Sequence, residues 1–146
     1  MKIDKNFTIL QEYALEQGEL HYDLRSSYDF VKFNRNINEN TIDLVFHIIK
    51  EELLNKNNAP SITLRFYESS FFKSSENLFL MQNKYIYQLG YVTLEYIEAD
   101  FLLDENDYNK LHENDDFYIY FAINSNSPLP DSELIIGAPK IRLITE

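Results

Sequence analysis

Residues 40–54 read NTIDLVFHIIKEELL, and the fold class turns on them. Ile42, Val45, Phe46, Ile49 and Leu53 recur at three- and four-residue spacing, which gathers them on one broad apolar face of a helix. Asn40 stands where a cap belongs, and Asp43 follows three residues on, as in a capping box. The run NKNNAP at 55–60 then favours turns over helix. The spacing predicts a helix over 41–54, packed on a sheet.

Working outward, Ile9, Leu10, Tyr13 and Ala14 predict a second helix over 6–17, with Gly18 as its stop. Strand patterns take over elsewhere. ELHYDLR (19–25) alternates apolar and polar residues, and Ser26 and Ser27 separate it from YDFVKFN (28–34), which predicts a hairpin. SITLRFYE (61–68), LFLM (78–81), YIYQ (85–88), YVTLEYIE (91–98), FYIYFAIN (117–124) and KIRLIT (140–145) supply further strands, with turn or bulge points at Asn83-Lys84 and Leu89-Gly90. Most connections are too short for crossover helices, so a mainly antiparallel sheet of about six or seven strands is expected. The fold class is α+β, in a single globular domain over 1–146.

Net charge is the strongest global property. The chain has 24 acids against 13 bases. Residues 85–139 hold eleven of those acids and one base, Lys110, for −10; the remaining thirteen acids and twelve bases leave only −1. Such a field repels nucleic acid and anionic membranes and attracts basic partners. With 22 Phe and Tyr residues there is ample material for a core, and the absence of Cys excludes disulfides, thiolate zinc sites and a cysteine nucleophile. No window approaches the roughly 18 apolar residues of a membrane helix, and the N-terminus lacks the apolar run of a signal peptide, so a cytoplasmic location is expected.

Catalytic motifs are missing. Gly18, Gly90 and Gly137 stand apart, so no phosphate-cradling loop exists, and there is no GxSxG. His47 has no second His four residues away, so no HExxH-type pair forms, and His21, between Glu19 and Asp23 on the polar side of a strand, has surroundings common on any solvated strand. The expectation is a protein that is not an enzyme, with no metal and no cofactor.

The stretch DENDYNKLHENDD (104–116) concentrates the charge. As a calcium loop it fails at Tyr108, Asn109 and Asp115. As a short helix over 105–113 it works: Asp104 caps, Asp107 is the third helical position, and Leu103, Tyr108 and Leu111 can face the core. Glu113 at its end and Asp115 and Asp116 beyond it oppose the helix dipole, as a surface facing a partner would tolerate. Asp104, Glu105, Asp107, Tyr108, Glu113, Asp115 and Asp116 are therefore the candidate contact residues, with a solvated helix as the rival reading. Phe71 and Phe72, in SSFFKSS (69–75), are further candidates, because adjacent strand residues point to opposite faces and one ring is then left to anchor an interface. The other reading buries both.

In size, charge, lack of Cys, Phe and Tyr content and absence of catalytic motifs, the chain resembles the cytoplasmic immunity proteins of bacterial polymorphic-toxin and contact-dependent inhibition systems. That resemblance implies an acidic inhibitor that blocks the active site of a basic, nuclease-type toxin, acting as a monomer or weak dimer and binding no nucleic acid itself. A phage-type anti-restriction or anti-CRISPR mimic of nucleic acid is the near alternative. A small-ligand binder, a carboxylate-dependent enzyme and an assembly subunit are the more distant ones.

Overall fold

The computed structural model describes residues 2–49, 59–75, 84–95, 102–111, 114–125 and 132–146. Strands dominate. Along the chain run β1 (Asp4–Lys5), β2 (Thr8–Leu10), β3 (Ala14–Gln17), β4 (Leu20–Asp23), β5 (Tyr28–Asn36), β6 (Thr41–Ile48), β7 (Ser61–Tyr67), β8 (Phe71–Ser74), β9 (Lys84–Thr93), α1 (Glu105–Lys110), β10 (Phe117–Ser125), β11 (Ser132–Gly137) and β12 (Lys140–Thr145). Strands β2, β3 and β4 form a small antiparallel sheet, and the other nine strands form one large sheet.

The large sheet closes on itself. Tyr67 lies opposite Lys140 and Phe71 opposite Gly137, so β7 with β8, and β12 with β11, act as two long bent strands paired along both halves. Around the circuit β5 pairs β6, β6 pairs β7, β11 pairs β10, β10 pairs β9, and β9 returns to β5 at Lys84 opposite Phe30. The result is a six-stranded barrel whose interior is filled by side chains. Ile42, Leu44 and Phe46 of β6 face inward beside Ile62, Leu64 and Phe66 of β7. Phe66 meets Phe121 of β10 edge-on, with ring centroids 6.3 Å apart.

Among the described residues the β5–β9 seam is marked by the register pair of Phe30 with Lys84. Val31 and Tyr87 are the extra residues of two bulges, one on each strand at this seam. The exposed backbone edge of β9 is satisfied from elsewhere: Arg25 donates to the Tyr87 carbonyl at 3.0 and 2.7 Å, Leu89 N–H donates to Glu12 at 2.7 Å, and Tyr91 pairs with Leu103. Through these bonds the small sheet and the residues before α1 are fixed against the seam.

Four expectations are corrected. The fold is mostly β, not α+β, and of the two long helices neither forms in the described residues. Residues 41–48 of the expected 41–54 helix are strand β6, and 50–54 lie outside the described residues. The apolar run ILVFII satisfies a period of two as well as one of three and four, and its β-branched residues favour the pleated surface offered by β5 and β7. The expected 6–17 helix is instead the β2–β3 hairpin, turned by Gln11 and Glu12 in left-handed backbone (φ 52° and 63°). Gly18 does end an element, but as a φ +62° turn residue between β3 and β4. Finally, β4 and β5 do not pair with each other: β4 pairs β3 and β5 pairs β6.

The strands expected at 61–68, 117–124 and 140–145 are present as β7, β10 and β12. Those at 85–88 and 91–98 merge into the single strand β9, which passes through Gly90, with residues beyond Glu95 outside the described set. LFLM (78–81) also lies outside it. Among the described residues no helix is long and apolar enough to cross a membrane.

Candidate partner-binding surface

Helix α1 is set by its ends and by one buried ring. Asp104 is extended (φ −83°, ψ −179°), and its carboxylate accepts the Asp107 N–H at 2.8 Å, so the expected cap is in place. Leu103, one residue before, is held by its backbone pair with Tyr91. Tyr108 turns inward, 4.2 Å from the Tyr91 ring in a stacked arrangement and 4.9 Å from Phe117 edge-on. Its hydroxyl accepts from Ile3 N–H at 2.6 Å and donates to the Ile3 carbonyl at 3.0 Å.

Glu105 also turns inward. It forms an ion pair with Lys5 and accepts from Ile9 N–H at 2.9 Å and from Tyr91 O–H at 2.8 Å. Lys5 is further held by the Phe7 carbonyl at 2.9 Å and lies 5.2 Å over the Tyr108 ring. Burial raises the phenol of Tyr108 to about 12, with the Glu105 charge adding to the effect; burial, and then the same carboxylate, raises Tyr91 still further. Two of the proposed contact residues, Glu105 and Tyr108, thus fasten α1 to the N-terminal segment and to β9, and their side chains are committed to the interior.

The remaining acids frame three hollows. The largest, about 530 Å³, has Leu94, Leu102, Leu103 and Leu111 on its floor and Glu95, Asp115 and Asp116 among its lining. A second, about 330 Å³, is lined by Ile9, Leu89, Leu103, Glu12 and Asp104, with Gln11. A third, about 360 Å³, takes Glu68, Asp116, Phe117, Tyr118, Ala138 and Pro139, with Ser70. Leu103 lines the first two, and Asp116 the first and third. Six carboxylates (Glu12, Glu68, Glu95, Asp104, Asp115 and Asp116) therefore line these neighbouring hollows together with apolar side chains, and no Lys or Arg is among the described lining residues. Leu94 is 53% exposed on this surface.

Of the residues expected from sequence, Asp104, Asp115 and Asp116 come together here, Asp107 lies exposed on α1, and Glu113 is outside the described residues. Phe71 and Phe72 do not join them. Phe71 packs on Tyr118 at 5.0 Å outside the barrel wall; Phe72, on the other face of β8 and 36% exposed, meets Phe33 at 5.4 Å and lies beneath Arg35. Sequence reasoning missed Glu12 and Glu68 as contributors because they come from distant turns, both in left-handed backbone. Glu95 and Leu94 were within reach, since Glu95 belongs to the acid-rich segment 85–139. No family model, curated protein or solved structure matches the chain.

Proposed function

We propose that this protein binds a basic protein and blocks it, in the manner of an immunity protein that covers the cleft of a nuclease-type toxin. The observation that carries the reading is the set of six carboxylates, with no Lys or Arg among the described lining residues, around hollows with apolar floors. A cleft built to hold nucleic acid presents Lys and Arg with apolar side chains between them, and this surface is complementary to it in both respects. The net charge of −11 adds steering at long range, which speeds encounter and falls with salt.

The test is inhibition. The product of the gene immediately upstream is purified, its nuclease activity assayed, and this protein added in increasing amounts. Activity should be lost at one-to-one stoichiometry, and Asp115→Lys/Asp116→Lys should restore it. Undiminished activity at excess protein, with no complex by gel filtration at low salt, would remove the inhibitor reading.

A further inference from the structure

We propose that the three hollows work as one track for an extended Lys/Arg-rich polypeptide segment that carries apolar side chains, an inference that rests on the basic-partner reading above. The hollows share walls. Leu103 lines both the second and the first, and Asp116 both the first and the third, so the three are neighbours in series, with Glu12 in the second and Glu68 in the third. Each hollow repeats one chemistry, an apolar floor beside carboxylates: Ile9 and Leu89 with Glu12 and Asp104, then Leu94 and Leu111 with Glu95 and Asp115, then Ala138 and Pro139 with Glu68 and Asp116.

An extended segment matches that repeat. Its side chains alternate between two faces at about 3.3 Å per residue, so apolar residues can face the floor while cations reach the rim. The hollows, at about 330 to 530 Å³, are of a size that takes side chains. A polyamine would meet the carboxylates and leave the leucines wet. An anionic ligand is repelled by the whole segment 85–139.

The experiment uses the full chain and fluorescence anisotropy at low salt with three probes: a short peptide alternating Lys and Leu, the same peptide with Ser in place of Leu, and labelled spermine. The Lys–Leu peptide should bind at least about tenfold more tightly than either other probe, because burying even one leucine is worth that much. Glu12→Gln and Glu68→Gln, which remove charge at the two ends, should each weaken it about two- to fivefold. Glu39→Gln, an exposed acid at the tip of the β5–β6 hairpin, should leave it unchanged. Equal binding of the Lys–Leu and Lys–Ser peptides overturns the track. So does wild-type affinity in Glu12→Gln and Glu68→Gln when Asp115→Lys/Asp116→Lys abolishes binding, and in both cases the basic-partner reading survives. If no cationic probe binds, the track fails, and inhibition of the upstream gene product decides the broader reading separately.

Discussion

Asp43 on β6 stands directly opposite Arg65 on β7, and the two share a pair of hydrogen bonds, Nε to Oδ1 and Nη2 to Oδ2, each 2.9 Å. Arg65 in turn lies opposite Arg142 on β12, whose guanidinium is held by Asp4 at 3.0 Å. Two ion pairs thus lie side by side across four strands on the outside of the barrel, with the two guanidinium groups adjacent and a carboxylate at each end. Hydrogen bonding to Asp43 raises the Arg65 pKa beyond its ordinary range. Asp43→Ala removes the bidentate partner and leaves two guanidinium groups side by side. It should cost about 1 kcal/mol, read as a lower urea midpoint with an unchanged slope. Arg65→Met in the same background should recover part of the loss, since the repulsion goes with the charge.

Gly137 is required by a ring rather than by its backbone. A Cβ there would sit 2.0 Å from Cδ1 and 2.3 Å from Cε1 of Tyr118, with Phe71 Cβ at 3.1 Å on the other side. Gly137→Ala should therefore destabilise by about 1–3 kcal/mol through overpacking. Combined with Tyr118→Ala the penalty should shrink, and strict additivity in the double-mutant cycle would contradict the packing account.

Glu105 and Asp107 lie two residues apart on α1 and should behave in opposite ways. Replacing Glu105 by Gln removes the counter-charge of Lys5, whose side chain is 9% exposed, and should cost about 3 kcal/mol of stability. Asp107→Asn, at an exposed position, should change stability by less than about 0.5 kcal/mol. Thermal or urea unfolding of the two variants separates the inward acid from the outward one.

Buried phenols set the alkaline limit. Burial raises Tyr22, Tyr28, Tyr91, Tyr108 and Tyr118 above the ordinary value of 10.0, Tyr108 to about 12. A phenol whose folded value exceeds its unfolded value is held in the neutral form. Its contribution is complete below pH 10 and is lost as pH rises from 10 through about 12. Stability should fall steeply in that window, with tyrosinate absorbance appearing together with unfolding. Tyr108→Phe should be less stable at neutral pH by about 1–3 kcal/mol, because Ile3 N–H loses its acceptor, and should show a shallower alkaline slope.

Local signals were the legible ones. The Asp104 cap needs only residues 104–107, β7 and β12 carry clean alternation, and β10 is a short continuous run of aromatic and aliphatic residues, so each could be read from its own segment. The apolar run at 42–49 fits both periodicities, and what makes it a strand is pairing with β5 and β7, which no window contains. The acidic surface was visible as the charge of 85–139, but not its ends, since Glu12 and Glu68 arrive from turns far away in the chain. Nor could spacing show that Glu105 and Tyr108 point inward, because Lys5, Ile3 and Ile9, which hold them, lie about a hundred residues earlier.

The most direct measurement is the dissociation constant of the complex with the upstream gene product, taken at low and at physiological salt for the wild type and for Asp115→Lys/Asp116→Lys. The account predicts a one-to-one complex that weakens as salt rises, and at least about a hundredfold loss in the variant with its melting temperature nearly unchanged. Affinity indifferent to salt and to both reversals would contradict it.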